Sequence, residues 1–188
     1  QGIPSNVSYP SGKAAAFSSD NKYCVISSTT APYIEMYNME QSMPIKMDIT
    51  LDIPFSIKDF SQDTLYPSEL IFSPDGKYLA IIHRWSGVSV YKISGTSLTR
   101  VYIDQGRTSW YALVLVSGIT FSSNSMYLVY NIVDLIYTQD TRLNNGTGTF
   151  KILKLVNNTI TSAYSSSSIS NCGNGRGLFT DNSTTFYN

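Results

Sequence analysis

The chain holds one histidine, His83, and two cysteines, Cys24 and Cys172, so any catalytic scheme that needs an imidazole has a single residue to draw on. A Ser or Cys nucleophile is activated when a base lies within hydrogen-bond reach and a third group orients that base. His83 stands at the end of a predicted strand, directly before Arg84 and Trp85, with no Cys or acid at motif spacing. It reads as a structural histidine. Metal ligation calls for clustered His, Cys or carboxylates, whereas Asp20, Asp75 and Asp181 stand singly in equivalent turn sequences. An Asp in such a turn accepts backbone N–H bonds and tolerates the turn conformation, so the three read as turn formers. Gly173 to Gly177 is glycine-rich, but no Lys-Ser/Thr follows and no strand-to-helix context flanks it, which argues against a phosphate cradle. No enzymatic set, metal or cofactor is expected.

Aromatic side chains offer a different chemistry. Tyr9, Tyr33, Tyr66, Trp85, Trp110 and Tyr111 fall in predicted loops or at strand ends, where a sugar ring or a partner surface could stack on them. Rings tucked between sheets are the alternative. Asn6, Asn145, Asn157 and Asn182 each begin an Asn-X-Ser/Thr triplet, a glycan acceptor on a eukaryotic secretory route. Four such triplets are no enrichment in a chain this rich in Ser, Thr and Asn. Cys24 and Cys172 could form one bridge or remain separate buried thiols.

Thirteen basic and thirteen acidic side chains cancel over the 188 residues. With no long-range field, neither nucleic acid nor an anionic membrane surface is an expected partner. The apolar stretch from Tyr111 to Phe121 contains Ser117 and Gly118 and is about half of what a bilayer requires. Only 14% of residues are charged, while hydroxyl and amide side chains abound. That composition leans towards an extracellular or virion setting.

What positions these residues is a repeat. Phe17, Phe72, Phe121 and Phe179 each precede a short Ser/Thr-Asp/Asn-Gly-type turn and then an aromatic-led, β-branched run. In the first three, a Tyr follows the Phe by six residues: Tyr23, Tyr78 and Tyr127. The Phe residues lie 55, 49 and 58 apart, an elastic period of the kind that stacked β units produce. The second unit is clearest, with strands expected over Ser68 to Ser73, Tyr78 to His83, Val88 to Ile93 and Leu98 to Ile103. The first gives Ala14 to Phe17, Tyr23 to Ser28, Tyr33 to Met39 and Met47 to Ile53. The third gives Gly118 to Phe121, Met126 to Ile132, Thr149 to Leu155 and Thr159 to Tyr164. Ile132 to Thr138 is left open between an extension of the second strand and an inserted excursion.

A four-stranded sheet cannot bury both faces alone, and stacking successive sheets does so. The expected fold is all-β, a β-propeller-like array of four-stranded antiparallel blades: three full repeats (about 12–66, 67–115 and 116–176) and a partial fourth (177–188) in one domain. A β-sandwich is the alternative. Phe72-Ser-Pro-Asp-Gly-Lys-Tyr-Leu-Ala with Val88-Ser-Val-Tyr-Lys-Ile, and its parallel at Phe17 with Ala31 to Tyr37, resemble the blades of divergent WD40-like propellers, as in bacteriophage and bacterial surface proteins. The Trp-Asp and Gly-His signatures of WD40 repeats are absent. Fold and function separate here, since propellers host many jobs.

The functional expectation is a non-catalytic structural or interaction module of an extracellular or virion assembly, such as a phage surface protein or a surface filament. Its partners would be copies of itself or other assembly subunits, docking through residues 1–10 or 177–188. A lectin-like, glycan-binding propeller is the alternative. The propeller part of a hydrolase ranks third.

Overall fold

The computed structural model describes residues 12–28, 33–49, 67–83, 87–95, 97–105, 112–138, 141–143, 148–156, 159–165, 179–180 and 185–186. These form β1 (Gly12–Phe17), β2 (Tyr23–Ser28), β3 (Ile34–Asn38) and β4 (Ile45–Lys46), then β5 (Pro67–Phe72), β6 (Tyr78–His83), β7 (Gly87–Ser94) and β8 (Ser97–Gln105). They continue with β9 (Ala112–Phe121), β10 (Tyr127–Thr138), β11 (Thr141–Leu143), β12 (Gly148–Val156), β13 (Thr159–Ser165), β14 (Phe179–Thr180) and β15 (Thr185–Phe186). All pairings are antiparallel between neighbours: β1-β2-β3-β4, β5-β6-β7-β8 and β9-β10-β12-β13, with β11 added to the far end of β10. The expected propeller-like array of blades is what the chain forms.

Two strands differ from expectation. The fourth strand of the first blade starts earlier than expected, at Ile45–Lys46, and Met47 follows it with its N–H on the Met36 carbonyl (2.8 Å) and its side chain in the core, 6% exposed; positions 50–53 of the expected run lie outside the described residues. Ile132 to Thr138 extends β10 and closes a hairpin with β11. Its partner β9 lengthens to match it.

Every Phe sits at the same ladder position. Phe17 pairs with Cys24, Phe72 with Leu79, Phe121 with Leu128 and Phe179 with Phe186, each seven residues on. The partial fourth copy is therefore a hairpin in the same register as the full ones.

The turns repeat as closely. In blade 2 the Ser73 hydroxyl donates to Asp75 Oδ1 (2.6 Å) and accepts from the Tyr78 N–H (2.9 Å), while Gly76 N–H closes the turn on the Ser73 carbonyl (2.9 Å). Ser18 with Asp20 and Tyr23, and Ser122 with Asn124 and Tyr127, make the same set. The residue after each acid or amide lies in the left-handed region: Asn21 (φ 57°), Gly76 (φ 69°) and Ser125 (φ 59°). Asp20 and Asp75 are turn formers, as expected. Asp181 lies outside the described residues.

Blade 2 is packed on both faces. Tyr78, Ala80, Ile82, Val88 and Val90 meet Ile119, Phe121, Leu128, Tyr130 and Leu153 of blade 3. Leu79, Ile81, Tyr91, Phe72 and Leu70 meet Val25, Ile34 and Met36 of blade 1. Alternate residues of one strand thus serve two cores, which a sandwich of two sheets does not require, so the sandwich alternative is set aside. An aromatic repeated at one place in each unit implies one buried socket per blade; Phe72 and Phe121 are buried, whereas Phe17 is 57% exposed, with no described sheet packed on that side of blade 1.

Candidate functional site

The first strands of the blades, β1, β5 and β9, approach one another, with β5 touching both neighbours. They form the inner wall of the array. Each carries one extra residue against its partner at the same place: between Gly12 and Ala15, between Pro67 and Glu69, and between Val116 and Gly118. A β-bulge bends its strand and re-aims the neighbouring side chains. Three in register turn the wall at one level.

At that level, three residues before each Phe, stand Ala14, Glu69 and Gly118. Two of the three are small, and a Cβ added at Gly118 would meet nothing within 4 Å. Glu69 is exposed, yet desolvation by the surrounding protein raises its carboxyl above the usual carboxylate value. Ser68 beside it donates to the Ile82 carbonyl (3.3 Å). A carboxyl whose pKa is moved towards neutrality, reachable from solvent, can hold or release a proton near a bound ligand. Nothing in the sequence marked Glu69 for chemistry, because its companions come from other blades. Its only signal is a charge on an otherwise apolar strand.

A second polar group lies between blades 2 and 3. Tyr130 donates to Asp104 Oδ2 (2.6 Å), Lys151 Nζ reaches the same oxygen (2.5 Å), and the Tyr102 and Tyr130 hydroxyls are 2.9 Å apart. Burial first, and then the bond to Asp104, pushes the Tyr130 phenol far up. It stays protonated, and its one proton goes to Asp104. Tyr102 is therefore the donor to Tyr130, giving a directed chain Tyr102→Tyr130→Asp104 that Lys151 closes. Tyr130 and Lys151 are cross-strand partners on blade 3, while Asp104 belongs to the outermost strand of blade 2. The group fastens two blades.

His83 is 3% exposed, and its Nε2 lies 2.6 Å from the Oγ of the fully buried Ser89. A base in contact with a hydroxyl is the geometry of an activated nucleophile, but this pair is sealed from solvent and supports the inner packing. The structural reading of His83 fits that burial. Cys24 is a free, buried thiol whose pKa burial raises.

Of the six aromatics singled out from sequence, Tyr33 is described. It is half-buried and occupies the left-handed region (φ 56°) at the entry to β3, the place that Gly87 (φ 109°) takes at the start of β7. Tyr9, Tyr66, Trp85, Trp110 and Tyr111 lie outside the described residues, as do Asn6, Asn145, Asn157, Asn182, Cys172 and Gly173 to Gly177. Among the described residues no three His, Cys, Asp or Glu converge as metal ligands. Among the described residues no helix is long and apolar enough to cross a membrane.

No family model and no curated protein matches the chain. Solved structures do. One is a Bacteroides uniformis protein described provisionally as a 6-phosphogluconolactonase, with TM-score 0.54, 19% identity, and 83% of this chain covering 41% of that one. A Bacteroides fragilis protein described in the same terms gives 0.53, 14%, 96% and 47%. A Lactobacillus plantarum protein gives 0.53, 16%, 82% and 40%. The chain is thus similar in fold to propellers and spans less than half the length of these three.

These likenesses correct the functional expectation. The non-catalytic virion or surface-filament module rested on the missing catalytic set and on a resemblance to phage and bacterial surface proteins. Two of these propellers are instead described as enzymes, and none of the three speaks for a phage, surface or lectin-like role. The physical reason is that an inner-wall site draws residues from separate blades, so motif spacing along one strand pair does not reveal it. A missing Ser-His-Asp set therefore excludes little.

Proposed function

We propose that the chain is the blade-bearing part of an enzyme-like propeller that hydrolyses an ester-type bond, of the lactone class, in a small hydroxyl-rich substrate bound against the inner wall. Glu69 is the acid–base group. The observation that carries this reading is the level at which three bulges align, where Glu69 with its raised carboxyl shares the inner strands with the small Ala14 and Gly118. The fold of the provisionally described 6-phosphogluconolactonases supports it. A carboxyl that holds its proton longer than usual suits proton transfer to or from water attacking a carbonyl, a role worth on the order of 10²–10⁴ in rate. The test is proton release from glucono-δ-lactone in a pH-stat, above the spontaneous rate, for the chain and for Glu69→Gln. The expected result is a protein-dependent rate that falls at least about 100-fold in the variant. A rate equal to background, or one untouched by Glu69→Gln, would overturn the proposal.

A further inference from the structure

The bulges of blades 1 and 2 are tied in different ways. In blade 1 the buried Ser27 closes on the bulge from the partner strand, its hydroxyl accepting the Ala14 N–H (2.9 Å) and donating to the Ala14 carbonyl (3.3 Å). Blade 2 has the apolar Ile82 at that ladder position, and Ser68 and Glu69 both stand against it. Pro67, next along β5, brings no N–H to the ladder. Among the described residues the direct tie is the Ser68 hydroxyl on the Ile82 carbonyl (3.3 Å). The two-against-one arrangement further requires that His83 take Pro67 as its partner, as it does. Were His83 to pair with Ser68 instead, the extra residue would be absorbed, and with it the local twist that re-aims Glu69.

His83 is itself held in place. Gly87, directly across the ladder, offers no side chain, and Ser89, two residues on, lies within diagonal reach. The resulting contact of His83 Nε2 with Ser89 Oγ (2.6 Å) is buried, as is Pro67, and a buried hydrogen bond is directional where apolar packing is not. The matching ladder positions hold Ser28 and Glu35 in blade 1 and Ile132 and Lys151 in blade 3. Glu35 is engaged with Lys46 and Tyr37, and Lys151 with Asp104. Of the three blades, then, blade 2 alone has the pair, and it alone has an acid at the level of the bulges, where the others have Ala14 and Gly118. We propose that the His83–Ser89 pair is a positioning device: by holding His83 against Pro67 it maintains the bulge that aims Glu69 along the inner wall. The functional meaning of that aim rests on the acid–base role proposed above for Glu69.

Two readouts on the full chain test this, and the first needs no substrate. The Glu69 carboxyl is titrated by carbon-13 NMR, its signal assigned by its loss in Glu69→Gln. In Ser89→Ala the loosened bulge relieves desolvation, and the midpoint falls towards the ordinary carboxylate value by about half a pH unit or more. In His83→Gln, whose side-chain amide reaches as far as Nε2 and keeps a bond to Ser89, it stays within about 0.2 unit of the parent. In glucono-δ-lactone hydrolysis, Ser89→Ala lowers kcat about 10-fold or more and leaves KM within about twofold, while His83→Gln keeps most of kcat. If Ser89→Ala does not fold, the near-isosteric Ser89→Cys, a weak hydrogen-bond partner, decides in its place. A Glu69 midpoint unmoved by the Ser89 substitution, or moved equally by His83→Gln, would overturn the proposal. The expected midpoint shifts in a chain that hydrolyses no lactone would uphold the positioning and remove only the role given to Glu69.

Discussion

The two interfaces inside the array are made differently. Between blades 1 and 2 the contact is apolar, with Val25, Ile34, Met36 and Met47 against Leu70, Phe72, Leu79 and Ile81. Its polar ties lie in the turns, where Ser19 donates to the Pro74 carbonyl (2.5 Å) and Tyr23 to the Gly95 carbonyl (3.3 Å). Between blades 2 and 3 an apolar core of similar make is joined by the Tyr102, Tyr130, Asp104 and Lys151 chain. Apolar burial is non-directional and does not choose how one sheet sits on the next. Directed hydrogen bonds do, at a cost in desolvation. Among the described residues the second interface is thus specified by polar groups within it as well as by a turn contact at its rim, where Asp75 N–H donates to Ser125 Oγ (2.9 Å), and the first by rim groups alone.

That contrast is most sharply broken at the phenylalanines. Phe72→Ala removes a buried ring and should cost roughly 3–5 kcal/mol, whereas Phe17→Ala, measured by urea denaturation in dilute monomer, should cost less than about 0.5 kcal/mol. Equal losses would mean that the first face is covered within the chain. Next in size is Asp104→Ala, which strands the Tyr130 hydroxyl and the Lys151 ammonium. With side chains 15% and 29% exposed, the pair is partly screened, and roughly 1.5–3 kcal/mol is expected. Lys151→Met, leaving Tyr130 bonded to Asp104, should cost about 1 kcal/mol or less. If Asp104→Ala costs no more than Lys151→Met, the directed chain does not specify the interface.

Glu69 sharpens a different comparison, between inner wall and turns. Its folded carboxyl is raised, so the native state favours the proton, and the associated stability is present at low pH and lost as pH rises through the folded value. Asp20 is lowered, chiefly by the Ser18 hydroxyl, and Glu35 is lowered by its bonds from Lys46 and Tyr37. Their contributions are present above the ordinary carboxylate range and fade as pH falls through the lowered values. Glu69→Gln should therefore raise the urea midpoint at pH 7 and leave it unchanged near pH 3, while removing activity. A site that gains stability on losing function is the expected trade. A midpoint shift of the same size at both pH values would show that charge is not the cause.

Much of the fold was legible because it is periodic. Phe72, Tyr78 and the turn between them announce a hairpin locally, and repetition at Phe17 and Phe121 implies that blades stack. The early start of β4 is not marked in the sequence because Ile45 and Lys46 follow Pro44 directly and are both exposed, so no alternation of buried and exposed residues announces them. The site was hardly legible. Glu69 acquires meaning from Gly118, and Asp104 from Tyr130 and Lys151, across blades that sequence spacing does not relate. The bulges left no signal either, since an extra residue such as Ser68 looks like any other strand residue until the partner strand is seen.

The smallest effect concerns the three matching turns, which place different residues in one left-handed position. Glycine adopts that region without strain, whereas other L residues meet their own carbonyl there at about 1–2 kcal/mol, Asn less than most. Exposed Asn21 (φ 57°) should therefore accept glycine with a gain of about 0.5 kcal/mol. In a chain of this size that is a rise of about 1–2 °C in Tm by calorimetry. Ser125 (φ 59°) stands in the same conformation, but its hydroxyl accepts the Asp75 N–H from the neighbouring blade (2.9 Å). Relief of strain there is offset by a lost hydrogen bond of about 1 kcal/mol, so Ser125→Gly should leave Tm within about 1 °C of the parent. If both substitutions raise Tm equally, the hydrogen bond at the rim contributes nothing, and the turns do not help to seat blade 3 on blade 2.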